Sequence, residues 1–334
     1  MTQNNKDGTP ELHASDINSS SSSIDAVAEN FTNMAVLDDN STATLSICAN
    51  CGKEEDGDNN SLKFCGACKL VKYCSAACQK AHRPMHKKEC NQRAAEIYDE
   101  KLFQDHPPRE DCPICMLPLP LNDMKSVFKL CCGKLICKGC IHEMKKGGKE
   151  ICAFCRSPSP TSDEDRVKRV TKLIGNGNAK AFNTLAGYYA HGREGLSQNW
   201  AKAIELWLRA GELGCASSYH NLGLVYYNGE GDVEVDKKKA KHYYELAAMK
   251  GCVSARYGAG VIEGQAGYIL RAKKHFIIAA KAGHEGSLDM VKKGFMNGPG
   301  LLITKDEYAN TLRSYQKSIN EMKSDMRDQA AKTN

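Results

Sequence analysis

The sequence lacks any run of apolar residues long enough to cross a membrane, and its first residues, MTQNNKDGTP, lack the apolar core of a signal peptide. It also lacks a Walker loop, a GxGxxG after a strand, a GxSxG elbow and an HExxH motif. These absences exclude the common nucleotide-binding and hydrolytic classes. They predict an intracellular protein of the cytoplasm or nucleus that is neither secreted nor membrane-bound.

Cysteine, by contrast, is abundant and unevenly placed. The chain has 334 residues, 17 cysteines and a formal net charge of +6. Fifteen of the cysteines lie between Cys48 and Cys155, and the other two are Cys215 and Cys252. In a reducing compartment such thiols bind metal or stay free rather than form disulfides. The length itself predicts two or three folded units.

The cysteine region is flanked by segments of different composition. Residues 1–47 carry one lysine and seven acidic residues and are rich in serine and asparagine, which predicts a disordered acidic tail. Residues 157–166 are rich in proline, serine and acidic residues and read as a linker. From Val167 onward the apolar pattern is helical and repeats.

The first cysteine cluster consists of four short pairs with spacings typical of metal ligands. A Cys-x₂-Cys pair suits a tight turn, and an x₃ pair places both ligands on one face of a helix. Eight ligands make two tetrahedral sites, and thiolates with one imidazole favour Zn²⁺ over an iron–sulfur cluster. The pairs are Cys48 and Cys51, Cys65 and Cys68, Cys74 and Cys78, and His86 and Cys90.

These eight positions, together with Tyr73 before Cys74, resemble the MYND zinc finger. The resemblance implies an interleaved pattern, which spacing alone does not establish. One zinc would be held by Cys48, Cys51, Cys74 and Cys78, and the second by Cys65, Cys68, His86 and Cys90. Both sites would be structural, because protein ligands fill all four positions. His82, one turn before His86, is expected to be a surface residue.

The second cluster resembles a RING finger, with departures. Its opening, Cys112-Pro-Ile-Cys115, matches that family, and the resemblance implies cross-braced sites. The third zinc would take Cys112, Cys115, Cys137 and Cys140, and the fourth Cys131, Cys132, Cys152 and Cys155. In the family the residue at Ile114 contacts a ubiquitin-conjugating enzyme, and the residue at Arg156 bridges that enzyme and its ubiquitin.

The departures concern the fourth zinc and the activity. The usual histidine ligand is replaced by Lys134, so either both adjacent cysteines, Cys131 and Cys132, bind the metal or His142 supplies the missing ligand. The proline usual between the last two cysteines is Ala153. No tryptophan lies between Cys140 and Cys152, where many active RING fingers carry one.

The C-terminal half repeats with a period near 37 residues. Leu185, Tyr189 and Gly192 recur as Leu222, Tyr226 and Gly229, and a third unit is five residues shorter. Small and aromatic residues at helical spacing, followed by glycine, predict a helical hairpin that buries its apolar face only by stacking. The final stretch from Asp306 to Ala331 is predicted to be one polar helix that caps the array.

The LGxxYxxG and WxxAxxxG elements resemble SEL-one-like repeats, relatives of the tetratricopeptide family. The resemblance implies a solenoid that binds proteins or short peptides. Trp207 and Tyr244 are expected in the core, and Cys215 and Cys252 are expected to be small buried residues. Basic runs such as Lys237–Lys239 lack neighbouring aromatic residues in the sequence, which disfavours nucleic-acid binding.

The sequence therefore predicts small zinc-stabilised fingers followed by an all-α helical-repeat solenoid, with two to four zincs. The predicted function is a non-enzymatic interaction scaffold. The alternative is a RING-type ubiquitin ligase that selects substrate through its other modules and orients a conjugating enzyme. The predicted segments are tail 1–47, MYND finger 48–90, helical connector 91–111, RING-like finger 112–156, linker 157–166, repeats 167–318, and helical cap and tail 319–334.

Overall fold

A computed structural model describes residues 47–55, 61–121, 125–148, 151–296 and 301–332. Apart from Ile47, the predicted acidic tail lies outside the described residues. The chain forms two compact units, Met1–Arg93 and Ala94–Asn334. Within the described ranges, no helix is long and apolar enough to cross a membrane.

The first unit is built around its own cysteines. Strands β1 (Lys63–Phe64) and β2 (Lys72–Tyr73) pair antiparallel, with Lys63 opposite Tyr73. Helix α1 (Ala76–Leu102) follows, and the boundary between the units falls within it. The core consists of Cys48, Leu62, Cys65, Cys68, Tyr73 and Cys90. So small a core has little apolar area, and bound metal is expected to supply much of its stability.

The second unit begins with the end of α1 and a cysteine-rich finger. Strands β3 (Ser126–Phe128) and β4 (Leu135–Cys137) pair antiparallel, and α2 (Lys138–Lys146) follows directly. Ile136 is fully buried in the core of this finger.

Helical hairpins make up the rest of the second unit, preceded by α3 (Asp163–Gly175). The first three hairpins pair helices of equal length, and the fourth is less regular. They are α4 (Ala179–His191) with α5 (Trp200–Glu212), α6 (Ala216–Asn228) with α7 (Lys237–Met249), α8 (Val253–Gln265) with α9 (Ile269–Lys281), and α10 (Glu285–Met296) with α11 (Lys305–Met322). Helix α12 (Asp325–Lys332) ends the described chain.

Glycine has the predicted role at the ends of the first helices. Gly192 and Gly229 follow α4 and α6 with φ of 59° and 72°, the left-handed conformation that stops a helix. A loop runs from each of these glycines to the next helix. In the third hairpin only residues 266–268 separate α8 from α9, so the five missing residues were lost from this loop.

The predicted core residues are buried, with one exception. Trp207 and Tyr244 are each 4% exposed, and Cys215 is buried. The ring of Tyr244 lies where a Cβ on Gly223 would stand, so this position must remain glycine for the helices to approach closely. Cys252 is only half-buried, although it occupies the same position before α8 as Cys215 does before α6.

Three boundaries differ from the sequence-based expectation. Helix α3 begins at Asp163, inside the predicted linker, because Ser162 caps its N-terminus by accepting a hydrogen bond from Asp165 N. The predicted connector is helical only to Leu102. The single predicted C-terminal helix is two helices, broken at Lys323, whose ψ of 140° is extended. The second of these, α12, packs against α2 of the RING-like finger rather than capping the repeats.

Candidate metal centres

Four Cys-x₂-Cys turns share one backbone geometry. In each, the first cysteine's carbonyl accepts a hydrogen bond from the residue after the second cysteine, at 2.8–3.1 Å. That residue has a positive φ in every case: Gly52, Lys69, Met116 and Arg156. The turn points both thiols to the same side, which is the arrangement that a shared metal ion requires.

The first group joins Cys48 and Cys51 with Cys74 and Cys78. The sulfur of Cys74 lies 3.6 Å from that of Cys51 and 3.5 Å from that of Cys78. Zn–S bonds of about 2.3 Å place the sulfurs of a tetrahedron about 3.8 Å apart. The four thiols thus already stand close to the spacing that zinc requires.

The second group joins Cys65 and Cys68 with His86 and Cys90 from one face of α1. The two sulfurs of Cys65 and Cys90 are 3.7 Å apart, and His86 Nε2 is 3.2 Å from Cys68 Sγ. His86 is buried, and its other nitrogen lies 3.7 Å from a carboxylate oxygen of Glu89. That separation is longer than a hydrogen bond, so Glu89 does not fix the orientation of the imidazole.

His82 is not the surface residue that the sequence suggested. It is half-buried, its Nδ1 is 3.0 Å from the hydroxyl of Tyr73, and its ring stacks on His86 with 5.5 Å between centroids. It therefore supports the ligand one turn away. The spacing of four residues placed it on the ligand face, but its partner Tyr73 comes from β2 and could not be read from that spacing.

The third group joins Cys112, Cys115, Cys137 and Cys140. Its sulfur separations of 3.8 Å, between Cys112 and Cys140 and between Cys115 and Cys137, again fit zinc. Arg327 from α12 donates to Cys115 Sγ at 3.5 Å and to the carbonyl of Pro118 at 2.8 Å. The C-terminal helix thus contributes an outer partner to a metal group some two hundred residues earlier in the chain.

The fourth group contains both adjacent cysteines. Cys131 and Cys132 lie with Cys152 and Cys155, and the sulfurs of Cys132 and Cys152 are 3.7 Å apart. Among the described residues His142 is not part of this group. The ammonium of Lys134, at the position where a histidine was expected, lies 5.2 Å above the ring of Phe154 instead.

The thiols within a group differ in pKa. A hydrogen bond with Cys78 raises the pKa of Cys74, and burial raises that of Cys140, whereas hydrogen bonds favour the ionised form of other thiols. Burial opposes ionisation of Cys48, but backbone N–H groups outweigh it and lower the pKa of this thiol to about 6. The pKa of Cys65 falls to about 6 for the same balance of reasons. At Cys155 the hydroxyl of Ser157 is the main cause, and the pKa is again about 6.

The chemistry of the four groups is structural. Three offer four thiolates and the second offers three thiolates and an imidazole, which fits tetrahedral Zn²⁺ and leaves no position for water or substrate. Bound zinc would link segments that are distant in the sequence.

A fifth group, which the sequence reasoning missed, is an ion-pair network rather than a metal centre. Glu245, Glu263 and His275 are buried within reach of one another. Arg271 donates to both glutamates, and Lys241 lies 2.8 Å from Glu263. Two fixed cations already neutralise the carboxylates and would repel a third.

The two residues that the RING resemblance singles out are accessible. Ile114 is 40% exposed, and Arg156 is exposed directly after the last cysteine. Phe154 beside it is also exposed.

The fold and the four ligand groups define a zinc-finger and helical-repeat protein, and comparisons make the class specific. The family model described as MYND finger matches residues 48–90. The Sel1 repeat model matches residues 184–215, 216–252 and 256–284. The chain therefore carries a zinc-binding MYND finger and Sel1 repeats, which confirms these two predictions and the predicted fold class. The RING-like finger is indicated by its cysteine groups alone.

Solved structures similar to the chain include a Sel1 repeat protein from Oxalobacter formigenes, with 20% identity over 54% of this chain and 72% of that one, at a TM-score of 0.42. Another is c5321, a protective antigen of uropathogenic Escherichia coli strains with an SLR fold. Its identity is 21% over 53% of this chain and 41% of that one, also at a TM-score of 0.42. No curated protein matches the chain.

Proposed function

We propose that the protein is a multi-module scaffold that binds proteins or short peptides. The MYND finger and the Sel1 repeats make it a zinc-binding interaction protein, and the proposal is that its modules hold different partners together. The observation that carries this proposal is that each assembled cysteine group is closed by four protein ligands. Their sulfurs must stay reduced, which suits an intracellular compartment.

Exposed apolar side chains on the MYND finger support this function. Phe64 on β1 is 43% exposed and Met85 on α1 is 84% exposed. The strand β1 pairs with β2 alone among the described strands, so an extended peptide can add to its free edge.

A scaffold must hold two ligands at once, and this can be measured. Peptides selected on the zinc-loaded chain from a random library would be sorted with two variants, Cys74→Ala in the finger and Tyr226→Ala in the repeats. We expect two peptide classes, each lost in only one variant, and simultaneous binding of one member of each. Mutual exclusion of all selected peptides would contradict the scaffold.

The ubiquitin ligase is the second candidate, and the exposure of Ile114, Phe154 and Arg156 is the observation that favours it. The test is autoubiquitination of the zinc-loaded chain with a panel of conjugating enzymes, compared with Ile114→Ala. Activity that falls in this variant would establish the ligase. Absence of activity across the panel would leave the scaffold.

A further inference from the structure

The third repeat has two arginines, a glutamate and a histidine at positions where the second repeat has three tyrosines and a lysine. Equivalent positions are 37 residues apart on the first helices and 32 apart on the second helices, because of the shortened loop. We call one set the second rung and the other the third rung. The second rung is Tyr219, Tyr226, Lys239 and Tyr243, and the third rung is Arg256, Glu263, Arg271 and His275.

The third rung holds a segment of the chain itself. Arg271 pairs with Asp99, and Arg256 donates to the carbonyl of Leu102 at 2.7 Å. The ring of Phe103 lies 4.9 Å from that of His275 and 5.1 Å below the guanidinium of Arg271. The rung position thus binds a carboxylate and an aromatic side chain from one turn of helix.

The bound segment is acidic. Residues 94–105, AAEIYDEKLFQD, contain four carboxylates and one lysine. The hydroxyl of Tyr98 donates to Glu245 at 2.7 Å, and Leu102 is fully buried. The contacts of this segment therefore show which side chains one rung of the repeats can bind.

The second rung presents a comparable surface without such a segment in the described contacts. Its rings form a stack, with 5.6 Å between the centroids of Tyr226 and Tyr243 and 6.1 Å between those of Tyr219 and Tyr243. All three tyrosines are half-buried. Lys239 Nζ stands 5.1 Å above Tyr226 and 3.7 Å from a carboxylate oxygen of Asp236. Its side chain is 60% exposed, so it can still meet a second carboxylate.

The fold places aromatic rings beside the run Lys237–Lys239 that do not adjoin it in the sequence. Tyr226 and Tyr227 come from the preceding helix, eleven residues or so earlier, and lie below Lys239 and Lys237. The first repeat has the same pair, with Lys202 Nζ 4.5 Å above Tyr189. The pairing of tyrosine with lysine is thus a property of the repeat and not of one loop.

We propose that the second rung is a docking site for an acidic peptide segment that carries an aromatic side chain. Lys239 would meet a carboxylate, as Arg271 meets Asp99, and the tyrosine stack would receive the aromatic ring. The proposal rests on the scaffold function and names the chemistry of one partner.

The test uses the full zinc-loaded chain and a fluorescent peptide with the sequence of residues 94–105. Anisotropy at low ionic strength should show saturable binding, since exposed charge pairs are screened by salt. A peptide with its four carboxylates replaced by amides should bind at least about fivefold more weakly. Lys239→Gln and Tyr226→Ala should each weaken binding of the acidic peptide by a similar factor. The control Lys317→Gln, which replaces an exposed lysine on α11, should leave binding unchanged.

Three outcomes overturn the proposal. One is absence of saturable binding. Another is weaker peptide binding in Arg271→Gln together with unchanged peptide binding in Lys239→Gln. That result would mean that the peptide displaces the connector at the third rung. A third is tighter binding of a single-stranded oligonucleotide than of the peptide. If two library peptides still bind the chain at the same time, the scaffold stands while this docking site fails.

Discussion

Replacing Arg271 by glutamine tests whether the ion-pair network holds the connector on the repeats. Arg271 contacts three carboxylates, those of Asp99, Glu245 and Glu263. The side chains of Glu263 and Glu245 are only 0% and 7% exposed, so water cannot replace the lost cation. Lys239→Gln is the matched control, since Lys239 occupies the same position one repeat earlier and is 60% exposed.

The expected loss follows from what remains after the substitution. A buried charge left wholly without its partner costs roughly 3–5 kcal/mol. Here Lys241 stays 2.8 Å from Glu263, and Tyr98 still donates to Glu245. We therefore expect a loss of about 2–3 kcal/mol for Arg271→Gln. The exposed control should lose less than about 0.5 kcal/mol.

Urea unfolding, followed by the helical signal at several urea concentrations, measures this difference in both variants. Native-state hydrogen exchange locates it, because amides of residues 94–109 should exchange faster in Arg271→Gln while those of the MYND finger do not. Equal stabilities of Arg271→Gln and Lys239→Gln, or unchanged exchange in the connector, would refute the role assigned to the network.

Three other substitutions test the zinc ligands, the C-terminal helix and a half-buried histidine. Cys74→Ala should unfold the MYND finger and lower the zinc count in native mass spectrometry by two, whereas the control Cys215→Ala should keep every zinc. Retention of both zincs in Cys74→Ala would contradict the ligand assignment. Gly139→Ala puts a Cβ 2.9 Å from the backbone nitrogen of Arg327, so the free energy that protects the α12 amides from hydrogen exchange should fall by about 1–3 kcal/mol. Gly66→Ala, whose Cβ meets nothing within 4 Å, should leave that exchange unchanged. Equal exchange of α12 in the two variants would contradict the packing of α12 on Gly139. Burial lowers the pKa of His220 from 6.5 to about 4. Between these values the unfolded chain binds a proton that the folded chain does not, so the free energy of unfolding falls as the pH drops from 6.5 towards 4. The loss should reach about 2.5 kcal/mol at a pH of about 4.5. His220→Gln should remove that part of the acid sensitivity in thermal unfolding, and an unchanged pH slope would count against it.

The features that could be predicted from the sequence are those set by short-range spacing. A Cys-x₂-Cys pair determines its own turn, and residues four apart on α1 determine a shared face, so the ligand pairs followed from local geometry. Which pairs share a metal did not follow from spacing and was implied only by the family resemblance. The hairpins followed from a period of 37 residues, and Gly192 and Gly229 end helices as expected. These patterns occur more than once in the chain, and this recurrence separates them from chance matches.

The features that were missed depend on contacts between distant segments. Arg256 reaches Leu102, and Arg327 reaches Cys115, across more than 150 and 200 residues respectively. No periodicity within either segment specifies such a contact. One signal did exist, since Glu263 and Arg271 replace a tyrosine and a lysine of the repeat pattern. A charged pair at positions that are otherwise aromatic and basic marks a repeat with a partner of its own.

The order of ligands in the MYND finger makes the two zinc sites close overlapping rings of the chain. The first group spans Cys48 to Cys78 and the second spans Cys65 to Cys90, so two ligands of each site lie within the stretch that the other site closes. During synthesis on the ribosome, the two zinc sites cannot both be complete until Cys90 has been made. A protease cut between Cys51 and Cys65 would meanwhile leave the two pieces tied through the metal. With zinc bound, the integrity of this finger therefore depends less on an unbroken backbone than on an unbroken set of metal bonds.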